Sequence, residues 1–467
     1  MFDPVADQPY TKIPVGMLGA ASHHTLAEEV ASQGLVLLQN PAGGTGTGAG
    51  AGAGAGVGAG AGAGGVLPLA LSKKTAVIGP HAHADRQLLG SYFSVACPLP
   101  SRCPMKGPCP HGSATFNCKF PHSEQCMLDW SCATTPFAAI AAASSGATTS
   151  AAGCSDGVSC SDTSLFAEAI ATAKAADQLV IVLGIDANIE SEGHDRTNTT
   201  LPGMQEELAL QLLALNKPTV VVLLNGGILS VDRLVPRSAR PTAHPPLNNP
   251  PAIIEAWYPG IRGGPAIAKA LFGLTNRWGK LPVTVYDSSF SDAVNMTQMS
   301  MTAGLGRSYK YWTGPPPLFE FGHGLSLTRF ALSWTNPAQP TTITVSSASD
   351  IVQVEVAVAN TGARQGDEVV QVYHIPRSVK RPPQETVRLP HRRLLDFERA
   401  TLLPQASASM VFAINATDLA LVDGEGNRYL YPGVHEVRVD RGPQTDDALT
   451  LTVNVVAAGP ILVDTLL

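Results

Sequence analysis

The segment NIESEGHDRTNTTLPG, residues 188–203, gathers Glu190, Glu192, His194, Asp195 and Arg196 directly after the apolar run QLVIVLG. A carboxyl group held where a strand ends, beside a glycine that lets a ligand come close, suits general acid catalysis. Gly193 is that neighbour for Glu192. Asp195 and Arg196 read as a pair that orients the loop rather than as proton carriers. Composition alone supports a plainer account, a solvated polar loop with a local ion pair, because charged loops are common and exposed pairs contribute little. Position is what favours chemistry.

Such a loop needs a rigid frame. Four apolar runs, TAVIGP (75–80), QLVIVLG (178–184), PTVVVLLNG (218–226) and AIIEAW (252–257), are separated by helical patterns at 164–176, 204–216 and 264–272. Strands that are apolar throughout and alternate with helices predict an α/β fold, a largely parallel sheet sandwiched by helices. Functional loops of such folds lie beyond the carboxyl ends of strands, which is where residues 188–196 fall. WYPG places Trp257 and Tyr258 at another strand end, where an aromatic ring either stacks on a sugar or anchors the core. Upstream, Thr25 and Glu28 form a capping-box pattern that predicts a helix closed at Gly34, with His23 and His24 exposed in the loop before it. Beyond about residue 330 the period becomes two, in IVQVEVAVAN, EVVQVYH, ASMVFAI, HEVRVD and LTVNVV. That pattern predicts an all-β, fibronectin-type sandwich whose charged residues are solvated strand faces.

Composition bounds the rest. With 467 residues, 44% hydrophobic and 15% charged, the chain can bury more than one core. A net charge of −6 without a basic block argues against nucleic acid as a partner. No apolar run approaches the roughly 20 residues that span a bilayer, and the first residues lack the pattern of a signal peptide, so no membrane partner is expected. All eight cysteines lie between residues 97 and 160, which reads as a disulfide-stapled segment of an exported protein. The tightest gaps leave five residues between cysteines, too wide for a zinc ribbon, so no metal is expected. Sequons at Asn198, Asn295 and Asn415 suit export. Disulfides without a signal suggest that the natural N-terminus lies upstream. Residues 43–65, nearly pure Gly and Ala, read as a flexible loop. Its GxGxxG match at Gly60, Gly62 and Gly65 is accidental, since no strand precedes it. His81 and His83 in HAHAD read as a substrate-facing or exposed loop rather than a metal pair.

Several motifs carry a family resemblance in order along the chain: TAVIGPHA, ADQLVIVLGIDANIESEGHDRTNTTLPGMQEEL, PTVVVLLNGG, WYPGIRGGPAIAKALFG, GKLPVTVY, RSYKYWTGPPPLFEFGHGLSLTRF and VANTGARQGDEVVQVY. Together they resemble the family 3 glycoside hydrolases, and VNMTQMSM with GRSYKYWTG is most similar to the plant-type β-xylosidases and α-L-arabinofuranosidases of that family. The resemblance implies an N-terminal barrel carrying an aspartate nucleophile, an α/β domain carrying the acid/base glutamate, and a fibronectin type III-like domain. Matching SEGHDR to the family's E-G-x-D-R pattern implies Glu192 as the acid/base, with Glu190 as fallback. His194 joins Trp257 and Tyr258 as a candidate substrate contact; the substrate implied is a xylo-oligosaccharide or related plant or algal cell-wall glycan, and hydrolysis of this type, using only carboxyl groups and water, needs no cofactor.

The first residues, MFDP to QPY, resemble the tail of the family's barrel, so no nucleophile is expected within the chain. Asp129 and Trp130 resemble the nucleophile motif but stand in the cysteine-rich insertion. The implied layout is a remnant at 1–24, an α/β domain at 25–290 with the cysteine-rich insertion at 97–160, a linker at 291–329, a sandwich at 330–457 and a tail at 458–467. The whole protein is expected to be a retaining β-xylosidase working outside the cell or in the wall, and this chain its inactive half-site. The rival class is a non-catalytic protein that binds glycans or other proteins.

Overall fold

Valine, isoleucine and leucine fill the central strands so completely that both faces of the first sheet are apolar and both must be covered. The computed structural model describes residues 4–13, 17, 19–41, 65–90, 132–236, 247–337 and 341–465. The Gly/Ala run up to residue 64, the residues Asp129 and Trp130, and Cys97, Cys103, Cys109, Cys118 and Cys126 lie outside them.

The sheet is built from β1 (Val36–Gln39), β2 (Thr75–Ile78), β3 (Thr148–Ala151), β4 (Gln178–Gly184), β5 (Thr219–Leu224) and β6 (Ala252–Glu255). Their spatial order is β1-β6-β5-β4-β2-β3. All neighbours are parallel except β1 with β6. The alternation of Cβ directions sends Leu179, Ile181 and Leu183 of β4 into one core and Val180 and Val182 into the other. Helices α1 (Ala21–Gly34), α2 (Pro136–Ala143) and α5 (Gly263–Leu271) cover one face, and α3 (Phe166–Ala175) and α4 (Gln205–Leu213) cover the other.

Two upstream expectations need correction. Helix α1 begins at Ala21, four residues before the supposed cap, so His23 and His24 are helical. The Thr25 hydroxyl donates to the Ala21 carbonyl at 3.0 Å, the bond of an interior threonine. Glu28 pairs instead with Arg262, at 2.6 Å, and with Lys269 of α5. In addition, His81 is buried, and its Nε2 lies 3.1 Å from the Ile185 carbonyl. His83 is exposed and bonds Ser150 Oγ at 3.0 Å.

The second unit is all β: β7 (Phe330–Trp334), β8 (Thr342–Val345), β9 (Ile351–Asn360), β10 (Gly366–Val379), β11 (Arg393–Leu402), β12 (Ser407–Asn415), β13 (Leu421–Val422), β14 (Asn427–Leu430), β15 (Gly433–Asp440), β16 (Leu449–Val455) and β17 (Ile461–Thr465). Sheet β11-β10-β15-β16-β8 packs on sheet β12-β9-β7 around a valine-rich core, beside a small sheet β13-β14-β17. The stretch set aside as a tail contains β17, which pairs with β14. The stretch set aside as a linker is also part of the fold: Leu318 and Phe319 enter the α/β core, and Leu325 bridges to Leu37.

Strand β10 departs from simple alternation, being buried on both sides from Gly366 to His374. Its outer face meets the α/β unit. There Asp367, with a fully buried side chain, takes Arg277 Nε at 3.2 Å and Arg399 Nη1 at 3.1 Å. Glu368 takes Lys280 at 2.8 Å and Arg441 at 3.0 Å. These charges are not solvated strand faces, because the neighbouring unit supplies their cover and one counter-charge to each, Arg277 and Lys280, while Arg399 and Arg441 of the sandwich supply the other.

Candidate active site

Strand β4 ends at Gly184, whose φ of +148° and close approach to the Leu224 carbonyl leave no room for a Cβ. Buried Gln205, on the first turn of α4, closes this end from the other side. It accepts from Gly184 N at 2.9 Å while its Nε2 donates to the carbonyls of Gly184 at 2.8 Å and Val158 at 2.6 Å. The neighbouring turn is fixed by the Cys154–Cys160 disulfide and by Met204 N donating to Cys160 O at 2.9 Å. Cys132 is also disulfide-bonded.

From this end the chain turns at buried Asp186, whose carboxylate accepts from Asn188 N at 2.9 Å and whose carbonyl accepts from Ile189 N and Glu190 N, each at 3.0 Å. Ser191 and His194 then exchange backbone hydrogen bonds of 3.0 and 2.9 Å, closing a four-residue turn. Gly193 occupies its third position with φ +75°, a conformation that requires glycine. Glu192 therefore stands at the exposed tip of a braced turn. Among the described residues it has no hydrogen-bond or ion-pair partner.

Glu190 sits lower and is differently employed. Its Oε2 lies 3.1 Å from Arg196 Nη2, and Arg196, nearly buried, also donates through both terminal nitrogens to Ile228 O at 3.2 Å. This pair presses on Gly227, where a Cβ would meet Arg196 at 2.6 Å and Glu190 at 2.8 Å. The Arg196 pairing expected within this loop is thus with Glu190, while Asp195 stays exposed. Farther on, Thr199 and Ser230 join the loop to the segment after β5 through a 2.7 Å hydroxyl contact. Asn188, His194, Asp195, Arg196, Asn198 and Thr200 line a polar, open cavity of about 500 Å³.

Trp257, at φ +55°, packs half-buried against the core of the α3/α4 face. Tyr258 fills the space that Cβ atoms on Gly90 and Gly226 would need, and its hydroxyl reaches Ile185 O at 3.4 Å. Burial pushes that phenol up to about 12. Trp257 thus anchors on the core, and Tyr258 lies beside the loop, near enough for the charges of Asp186, Glu190 and Arg196 to act on its phenol. Burial holds His81 down to about 4 against the opposing pull of Asp186.

The sequence does not single out Asp186, Gln205 and Asn225, which hold the loop and the strand ends, or Glu255, which is buried on β6. The available signal was a lone polar residue inside or just after an apolar run, as in LGID and AIIEAW. Among the described residues, no group of three or more His, Cys, Asp or Glu side chains is placed to share a metal ion. No helix among them is long and apolar enough to cross a membrane.

Residues 61–327 match the glycosyl hydrolase family 3 C-terminal domain and residues 368–442 a fibronectin type III-like domain. A β-xylosidase/α-L-arabinofuranosidase of Medicago sativa subsp. varia is 29% identical over 462 residues, covering 92% of this chain and 50% of the relative. β-D-xylosidase 1 of Arabidopsis thaliana is likewise 29% identical, with the same coverage. The solved structure of a family 3 exo-β-xylosidase in complex with a xylobiose aziridine probe superposes with a TM-score of 0.74 at 25% identity, over 99% of this chain and 52% of the other. The chain therefore spans about half the length of the relatives it matches. With the family's domain matched across more than half of its residues, the chain belongs to glycosyl hydrolase family 3, of which it contains the C-terminal α/β domain and the fibronectin type III-like domain.

Proposed function

We propose that this chain supplies the acid/base half of a retaining exo-β-xylosidase. Glu192 is the proton donor, and the attacking carboxylate stands on residues outside these 467. The observation that supports this assignment is the contrast within one loop: Glu190 is bound to Arg196, whereas Glu192 is free at the tip of a braced turn. A retaining glycosidase needs two carboxyl groups about 5 to 5.5 Å apart, one ionised for attack and one able to give and retake a proton. A free, solvent-facing carboxyl suits the second role, while one clamped by a guanidinium suits positioning. Substrate is a terminal β-linked xylose of a xylo-oligosaccharide, in line with the xylosidases among its relatives. The disulfides suit a protein at work outside the cell.

Two measurements test this reading. The chain alone, given a chromogenic β-xyloside, should release no chromophore above background, and turnover abolished by Glu192→Gln would overturn the half-site assignment. The same chain, joined downstream of the portion of the Medicago relative that it does not cover, should hydrolyse the xyloside and lose that activity on Glu192→Gln. If Glu190→Gln were the crippling change instead, the roles would be reversed.

A further inference from the structure

Strand β6 carries one carboxyl group into the interior. Glu255 is 2% exposed, and the residues paired with it across the sheet are Val36 on β1 and Leu223 on β5. Its Oε1 accepts from Trp257 N at 3.1 Å, the Ala256 N–H also faces the carboxyl, and the Asn225 amide lies within hydrogen-bonding reach; these contacts favour the charged form, and burial opposes and outweighs them. Among the described residues no cation acts on it. Of the titratable groups on the neighbouring loops, Asp186 acts on His81 and on Tyr258, Tyr258 also feels Glu190 and Arg196, and none of these is among the groups that act on Glu255.

Asn225, fully buried at the end of β5, has the complementary deficit. Its Nδ2 donates to Gly227 O at 2.9 Å, which fixes the orientation of the amide, and its Oδ1 is buried without a donor. A buried carboxyl without a counter-charge and a buried amide oxygen without a donor are each costly alone. One proton satisfies both.

We propose that Glu255 is a carboxylic acid in the folded protein, that its O–H donates to Asn225 Oδ1, and that this bond is a positioning contact for the acid/base loop. It holds Asn225, whose Nδ2 holds Gly227; the adjoining Ile228 carbonyl holds Arg196, and Arg196 holds Glu190. Asn225 N also donates to Trp257 O at 3.3 Å, so the loops after β5 and β6 are fastened at the same point. The positioning role rests on reading residues 186–200 as the acid/base loop; the protonation and the bond do not. Burial drives the carboxyl in the required direction, up to about 8.

The experiment uses the full chain and needs no activity. Carbon-13 NMR of glutamate side-chain carboxyls at pH 6, with Glu255 assigned by its absence in Glu255→Gln, should show a protonated carboxyl that titrates far above the others. Hydrogen exchange of amides 186–196 and 225–228 should quicken about tenfold in Glu255→Leu, the scale of one lost buried hydrogen bond, and return in Glu255→Gln, which can still donate to Asn225. The apparent melting temperature should fall as pH rises from about 6.5 to 8 in the wild type, above the range in which the buried histidines titrate, and stay flat there in Glu255→Gln. An ionised Glu255 at pH 6, or unchanged exchange in a folded Glu255→Leu, would overturn the proposal. A catalytically dead fusion with normal NMR and exchange results would count against the glycosidase reading alone.

Discussion

In the α/β unit most charged side chains of interest stand on loops beyond the strand ends, whereas in the sandwich they stand on the strands themselves. The cause is the cover each sheet receives. Strands β4 and β5 are buried on both faces by helices, so a charge on them would lack solvent and partner alike, and polar groups gather where the strands stop. The sandwich strands alternate, as in β9 and β12, and leave one face for polar residues. Where the α/β unit covers that face, the charges of β10 become the buried pairs of Asp367 and Glu368. One unit therefore carries its carboxylates at an exposed edge, and the other uses them to hold the two units together.

Four predictions would break or sharpen this contrast. The largest effect belongs to the loop: in the fusion described above, Glu192→Gln should lower kcat by about 10²–10⁴-fold, a typical loss for a general acid. Arg196→Ala should cost less, leaving Glu192 in place while loosening its support. Second, Asp367→Ala should destabilise the chain by about 3–5 kcal/mol, because it leaves two arginines facing an empty site in a buried contact. Urea unfolding would measure it, and a loss below about 1 kcal/mol would show that the contact is not a clamp.

Third, the two units should respond to pH differently. Burial holds His81 and His323 down to about 4, and it also lowers His374 and His435 in the sandwich. Such groups are neutral when folded but bind protons below their ordinary 6.5 when unfolded. The stability they contribute is present above 6.5 and is lost as pH falls toward 4. Glu255 has the opposite sign. Its contribution is complete below its ordinary 4.5 and is lost as pH rises through about 8. Unfolding midpoints between pH 5 and 9 should show a fall on the alkaline side that Glu255→Gln removes. The smallest effect is expected at Arg377, whose pair with Glu436 at 2.7 Å is half exposed. Arg377→Ala should change stability by no more than about 1 kcal/mol.

Much of the frame was legible because apolar runs bounded by glycine are a local signal. The four α/β strands and the five alternating strands read from the sequence are all present in the structure. What escaped depended on distant partners. Glu28 looks like a capping residue until Arg262, 234 positions away, is seen against it. His81 looks exposed in HAHAD because nothing local announces the Ile185 carbonyl that holds it. Residues 318–325 read as a linker because their partners, Val285 and Leu37, lie on other segments. The candidate loop was found by its composition, but which glutamate is clamped and which is free follows from Ile228 and Gly227, on a different strand end.

The Gln205 amide beside Gly184 acts as a rung of the sheet made from a side chain, receiving from one backbone nitrogen and giving to two backbone oxygens. Only a neutral amide can do both. Chemical ageing that hydrolysed it to a carboxylate would set negative charge against those two oxygens at the root of the Glu192 loop. Deamidation at this one position would thus destabilise the end of β4 and the loop that leaves it.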